Sequence, residues 1–218
     1  MKLTGYSKPD HWAIKAQKEG FPARSVYKLK EMDEKFGLLK TGGQLKILDL
    51  GAAPGSWSLY VLRKLSVKAK PAAGPGKTST LVAVDLSPLS REHDHGLFGD
   101  QGSGNFTFIQ GDFTIPEIRT SIVSRGPYSL ILCDAAPSTT GNRSVDTLRS
   151  LDLAETALSF AEEAMIKGGN LAVKVFQGGD TGSLLKKIKA QFATGKSFKP
   201  EACRTESFET YYLGLGKK

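Results

Sequence analysis

Cysteine is scarce in this chain. Cys133 and Cys203 are the only two thiols in 218 residues, too few for a disulfide framework, and neither belongs to a CxxC pair or to a spacing that ligates zinc. Histidine offers little more: His93-Asp94-His95 and a distant His11 make up the set, so no metal is expected. No apolar run approaches the roughly 18 residues of a membrane helix. The start, Met1 to Lys8, is polar rather than a charged head before an apolar stretch. These absences lead to the expectation of a reducing cytoplasm, with no export and no membrane.

What is present is a chain with 39% hydrophobic residues, long enough for one substantial core and too short for two independent ones, which predicts a single domain over residues 1–218 working as a monomer. The formal charge is +8 and the pI near 9.4, a polycation that favours polyanionic partners. Residues 1–30 hold seven bases (Lys2, Lys8, Lys15, Lys18, Arg24, Lys28, Lys30) against Asp10 and Glu19, and so supply +5 of the +8. Trp12, Phe21 and Tyr27 are interleaved among them.

Five short apolar or β-branched runs end in turn residues: Leu45 to Leu50, Thr80 to Leu86, Phe106 to Gln110, Tyr128 to Cys133 and Asn170 to Phe176. Continuous runs of this kind suit strands covered on both faces. Helical patterns lie between them. Asp146 to Lys167 repeats Leu151, Ala154, Leu158, Ala161 and Met165 at steps of three and four, with Gly168-Gly169 expected as its stop. Arg24 to Phe36, Ser56 to Leu65 and Ser183 to Phe192 are further helices, and Phe208 to Leu215 reads as an added strand. Alternation of strands and helices predicts an α/β fold with a mostly parallel, doubly wound sheet. Ser66 to Ser79 and Ser87 to Asn105, rich in Gly, Pro, Ser and charge, read as surface loops.

After the first strand comes Asp49-Leu50-Gly51-Ala52-Ala53-Pro54-Gly55-Ser56-Trp57, a small-residue loop that lets a ligand approach backbone just before a helix. It lacks the G-x-G-x-x-G that seats a pyrophosphate, which disfavours a nucleotide-dependent oxidoreductase. S-adenosylmethionine has no phosphate and brings an amino acid tail, ribose hydroxyls and an adenine amine, so it needs acceptors. Aspartates stand at four successive strand ends: Asp49, Asp85, Asp112 and Asp134. Any one of them alone is as readily a turn or helix cap. Asp85 suits the vicinal ribose diol and Asp112 the adenine amine.

Lys174 interrupts Leu171-Ala172-Val173-Lys174-Val175-Phe176. A lysine within a buried strand must be paired, reach an edge, or lose its charge. Beside a cofactor it becomes a candidate to accept a proton from a hydroxyl. Asp134-Ala135-Ala136-Pro137 is followed by Ser138 rather than by the aromatic that an exocyclic-amine methyltransferase stacks on its base. Cys133, the only thiol near Asp134, should point to the opposite face of the sheet, away from any nucleophilic role.

With those motifs in view, the chain resembles the FtsJ-type ribosomal RNA ribose methyltransferases from about Trp12 to Gly214. Matching stretches are Ala16 to Gly20, Arg24-Ser25 running to Tyr27-Lys28-Leu29, Asp49 to Gly55 with Trp57, Gln110 to Phe113, Asp134 with Ala136-Pro137, Val173 to Gly178, and Ser207-Phe208-Glu209 with Tyr211. The resemblance implies a Rossmann-like methyltransferase fold with helices on both faces and S-adenosyl-L-methionine as cofactor. It implies a catalytic tetrad of Lys28, Asp134, Lys174 and Glu209, and cofactor contacts from Asp49, Gly51, Pro54, Gly55, Trp57, Asp85, Asp112 and Asp134. Lys174 would take or steer the proton of a ribose 2′-hydroxyl, Asp134 would hold Lys174, and Lys28 and Glu209 would orient the nucleotide. The expected substrate is a uridine of large-subunit ribosomal RNA in a ribosomal particle, with the basic segment over about 1–30 contacting RNA phosphates. Transfer RNA or messenger cap ribose, or a non-catalytic RNA-binding assembly factor on the same fold, are the alternatives.

Overall fold

Hydrophobic runs that must be covered on both sides organise the molecule. A computed structural model describes residues 10–40, 43–68, 78–99, 105–204 and 206–218. Met1 to Pro9, with Lys2 and Lys8, lie outside these residues, as do 69–77 and 100–104 of the two expected surface loops. Four of the apolar runs become β1 (Lys46–Leu50), β2 (Thr80–Asp85), β3 (Phe106–Gln110) and β4 (Tyr128–Cys133), and the fifth becomes part of β5 (Met165–Phe176). β7 (Glu209–Lys217) and β6 (Phe192–Phe198) complete a sheet of order β3-β2-β1-β4-β5-β7-β6. The first five strands in that order pair in parallel, whereas β7 runs antiparallel to both β5 and β6.

Helices cover the two faces. α2 (Val26–Phe36) and α3 (Ser56–Lys68) bury Leu29, Met32, Leu59 and Leu62 against Ile47, Leu132 and Ala172 on one side. α4 (Pro116–Val123), α5 (Arg143–Ala164) and α6 (Thr181–Gln191) bury Ile122, Ala157, Leu158 and Ile188 against Leu48, Ile131 and Val173 on the other. Among the described residues no helix is long and apolar enough to cross a membrane.

Local chemistry explains the helix ends. α2 stops at Gly37, whose φ of 68° places it in the left-handed region that glycine enters without a Cβ clash. Asn142 caps α5 by accepting from the Ser144 and Val145 amides, so the helix begins a few residues before the expected Asp146. Its end corrects the expectation more sharply. α5 gives way to extended backbone at Met165, and Gly168-Gly169 lie inside β5, where the register against β4 shifts between the Tyr128–Met165 and Leu130–Asn170 pairs. The segment is held by strand pairing at both ends, which a glycine pair read as a helix stop does not foretell.

α1 (His11–Lys18) is a helix within the segment read from sequence only as basic and aromatic, capped by Asp10, which accepts from the Ala13 amide at 2.9 Å. Arg24 pairs with Asp10 and donates to the Ala202 carbonyl at 2.5 Å. It is a strut between α1 and the approach to β7 rather than a free surface base.

Candidate active site

The two lysines and two carboxylates expected to act together are brought together, as two ion pairs in the same region at the carboxyl end of the sheet. Alternation along β4 and β5 turns Asp134 and Lys174 to the face of Leu132 and Ala172, where α2 packs. Lys174 Nζ lies 3.1 Å from Asp134 Oδ1 and donates to the Asp134 carbonyl at 2.5 Å. Its side chain is 8% exposed and that of Asp134 14%, so the pair is desolvated and each charge depends on the other. Of the three fates open to a lysine in a buried strand, pairing is the one realised.

The second pair is Lys28 Nζ to Glu209 Oε1 at 2.7 Å, joining α2 to the start of β7. Burial pulls the Lys28 ammonium toward deprotonation, but the negative charges of Asp134 and Glu209 outweigh it and hold its pKa above the ordinary lysine range. Lys28 thus responds to both carboxylates. Antiparallel pairing of β5 with β7 sets Phe176 opposite Glu209 and Lys174 opposite Tyr211. That register brings the Tyr211 hydroxyl to Asp134 Oδ1, to which it donates at 2.6 Å.

Beside Asp134 opens a cavity of about 730 Å³, the size of small-molecule sites. Gly51, Ala53, Asp85 and Asp112 line one side. Gly51 has φ +73°, and a Cβ there would lie 2.6 Å from Ala135 backbone, so the close approach of the β1 and β4 ends requires glycine. Asp85 accepts from the amides of Ala53 at 2.9 Å and Ser87 at 2.8 Å, which fixes its carboxylate at the cavity wall as a vicinal diol needs. Asp112 accepts from the amide and hydroxyl of Thr114 and is held at the far end.

Asp49 is wholly buried at the end of β1 and is not itself among the residues of the cavity wall. Its Oδ2 accepts from Ser58 at 2.7 Å, while Oδ1 has no donor among the described residues. Burial pushes its carboxyl up to about 7, the Ser58 bond draws it back, and the charges of Asp134 and Asp85 add to the rise. An orphaned buried carboxylate oxygen beside two further carboxylates is a place for a cation. The wall of the cavity carries the carboxylates of Asp85, Asp112 and Asp134, acceptors and negative charge suited to a ligand with a sulfonium, a diol and an aromatic amine, so the residues fit S-adenosylmethionine.

Pro54 and Gly55 shape the loop, Gly55 donating its amide to the Ala52 carbonyl at 2.7 Å, and are not among the residues of the cavity wall. The side chain of Trp57 turns inward. Its indole is 2% exposed, donates to the Ser25 carbonyl at 2.8 Å and lies 5.9 Å from the Tyr211 ring. It packs α3 against α2 under the site instead of facing the cavity. Cys133 is buried on the opposite face from Asp134, and burial pushes its thiol up to about 12, so it has no thiolate to offer.

Sequence reasoning passed over three groups. Tyr211 entered only as a motif residue, although its step of two from Glu209 puts both on one face of β7. Arg149, Asp152 and Thr156 of α5 also line the cavity; their i, i+3, i+7 spacing on one helix face was the available signal. Cys203 hydrogen-bonds the Glu209 carboxylate and is held protonated, with burial the first cause and Glu209 the next.

A mostly parallel sheet with acceptors at its strand ends, a cavity for a cationic ligand and a buried lysine paired with a carboxylate of the cavity wall define an S-adenosylmethionine-dependent methyltransferase. Residues 21–217 match the FtsJ-like methyltransferases, and the chain belongs to that family. It is 47% identical over 218 residues, covering 100% of both chains, to the ribosomal RNA large subunit methyltransferase E of Treponema denticola. To the protein of the same name in Borreliella afzelii it is 43% identical over 94% of this chain and 96% of that one. Among solved structures, a ribosomal RNA methyltransferase from Plasmodium falciparum superposes with a TM-score of 0.68 at 25% identity, covering 90% of this chain and 98% of the other. Human methyltransferase-like protein 13, in complex with SAH, shares the fold at a TM-score of 0.53 and 17% identity, over 92% of this chain and 80% of that one.

Proposed function

We propose that the chain transfers the methyl group of S-adenosylmethionine to a ribose 2′-hydroxyl, that of a uridine in large-subunit ribosomal RNA. The observation that carries the reading is the buried Lys174–Asp134 pair, whose carboxylate residue belongs to the cavity wall. The names of the full-length relatives support the choice of RNA, and such a substrate supports a cytoplasmic place of work.

S-adenosylmethionine, when bound, supplies an electrophilic methyl carbon on a sulfonium. Asp49 would hold the ammonium of its amino acid tail, Asp85 the ribose diol and Asp112 the adenine amine. Lys174 Nζ engages the 2′-hydroxyl of the RNA, fixed in aim by the carboxylate and carbonyl of Asp134. As the 2′-oxygen is methylated, its proton would pass to Lys174 Nζ while one of the ammonium's own protons moves to Asp134 Oδ1, 3.1 Å away. Lys28 and Glu209 keep the nucleotide side of the site charged and ordered. Alignment of hydroxyl and methyl within an excluded site is itself a large contribution.

Of the bases in the N-terminal segment, Lys28 and Arg24 are engaged with Glu209 and Asp10. Lys15, whose ammonium lies 4.9 Å from the Tyr27 ring centroid and 5.4 Å from that of Trp12, together with Lys18 and Lys30, is left to meet phosphates, and binding should weaken steeply with salt.

The test is to incubate the purified chain with labelled S-adenosylmethionine and, separately, undermodified large-subunit particles, free ribosomal RNA and transfer RNA. Label recovered as a 2′-O-methyluridine from the particle is expected. Label confined to transfer RNA, or on a base, overturns the reading.

A further inference from the structure

A ribose methyltransferase must hold its nucleotide by more than the sugar, and none of the four residues of the two ion pairs offers a surface to a base. The strand that carries Lys174 does. Phe176 stands two residues further along β5, on the same side by alternation, after a rise of about 7 Å.

The Phe176 ring meets that of Phe208 edge-on, with centroids 4.7 Å apart and planes at 61°. Phe208 directly precedes Glu209, and its carbonyl accepts from the Gln177 amide at 2.8 Å, so its backbone is pinned to the loop leaving β5. Arg143 at the start of α5 sets its guanidinium carbon 5.1 Å from the Phe208 ring centroid. Arg143 is exposed and makes no ion pair with a carboxylate among the described residues.

Phe176 is buried, at 9% exposure, whereas Phe208 is half-buried and lies outside the apolar clusters of the core. A half-buried aromatic ring, braced by a second ring that is two residues from Lys174 and flanked by a guanidinium that hydrogen-bonds only the Gln177 carbonyl among the described residues, has the two parts with which proteins grip unstacked nucleotides: a π-face and a positive charge.

We propose that Phe208, braced by Phe176 and flanked by Arg143, is the shelf on which the base of the target nucleotide stacks, so that its 2′-hydroxyl is presented to Lys174. The inference rests on the reading of the chain as an RNA ribose methyltransferase. Every base has a π-face, so the shelf holds the base without choosing it. The choice of nucleotide then falls to contacts with the flanking RNA. The T-shaped contact leaves the Phe208 ring braced at an angle to Phe176, and Arg143, on a flexible exposed side chain, can close over the incoming base as it now lies over the ring.

The experiment compares Phe208→Leu, which keeps apolar bulk against Phe176 but loses the π-face, with Phe208→Tyr, which keeps both. Methyl transfer to the RNA that wild type modifies is measured alongside S-adenosylmethionine affinity and melting temperature. Phe208→Leu is expected to lower kcat/KM for RNA by about five- to hundredfold, the span of single stacking contacts, with cofactor affinity and melting temperature unchanged and Phe208→Tyr close to wild type. A substrate with the target base removed and the ribose retained should lose as much with wild type, and Phe208→Leu should then cost little more. Absence of transfer by wild type itself would strike the underlying reading instead. Wild-type activity in Phe208→Leu, or a loss that persists undiminished on the abasic RNA, overturns the shelf.

Discussion

Removing one oxygen atom, in Tyr211→Phe, probes how the Lys174–Asp134 pair, proposed above to be catalytic, is held. Tyr211 is fully buried, and its hydroxyl donates at 2.6 Å to the same Asp134 Oδ1 that lies 3.1 Å from Lys174 Nζ. Burial first, and then the negative charges of Asp134 and Glu209, hold the phenol well above its ordinary pKa, so it stays a donor and never serves as a base in the working range. Phenylalanine keeps the ring beside Trp57 and the pairing of β5 with β7. What goes is a charge-assisted hydrogen bond to a carboxylate with little access to water, a contact of about 1.5–3 kcal/mol. Asp134 aims Lys174, so most of that loss should fall on the chemical step, at tenfold for each 1.4 kcal/mol or so. Single-turnover transfer to saturating RNA should slow by about ten- to a hundredfold, with RNA and cofactor affinities little changed. A rate equal to wild type would refute the reasoning, because it would mean that Asp134 is positioned by Lys174 alone.

The Lys28–Glu209 pair, with both side chains 12% exposed, should behave as a buried pair: Glu209→Gln strands the Lys28 charge at a cost of about 3–5 kcal/mol in urea melts, and adding Lys28→Met should recover part of it, so a strictly additive double mutant counts against the pair. Asp49 takes up its proton near 7 in the fold and near 4 when unfolded, so between those values the native state holds more protons and wild-type stability should fall as pH rises, then level off. Asp49→Asn should flatten that slope and be more stable than wild type at pH 8 in the absence of cofactor, yet bind S-adenosylmethionine more weakly. Melts at pH 5 and 8 with titrations of the ligand check both halves. Gly51→Ala should lose more than about 2 kcal/mol, since it combines left-handed backbone with a methyl 2.6 Å from Ala135 backbone, and a melting temperature within a degree of wild type contradicts the close-packed loop.

Much of this architecture is legible because its causes are local. The runs Leu45 to Leu50 and Tyr128 to Cys133 are apolar without interruption, and only a strand covered on both faces accommodates that pattern. Lys174 stands out because a charge in such a run demands a partner. Other features depend on distant parts of the chain. β6, Phe-Ala-Thr-Gly-Lys-Ser-Phe, is a polar edge strand with a glycine, made regular by pairing with β7. The start of β5 carries Gly168-Gly169 because β4 supplies the ladder on either side of the irregularity. α4 is only eight residues long, too short for its period to emerge. At the site, the motif that contains Trp57 does not say which way the indole turns; its bond to the Ser25 carbonyl is a tertiary contact. Tyr211 was hidden for the same reason, since its partner Asp134 is 77 positions away in the chain.

The central claim is that Lys174 handles the proton of the hydroxyl that is methylated. Single-turnover transfer by Lys174→Ala, at saturating RNA and S-adenosylmethionine, tests it most directly. The account predicts a fall of about 10²–10⁴-fold, the range of general acid–base groups, with the affinity for S-adenosylmethionine preserved. Transfer within a fewfold of wild type would contradict it.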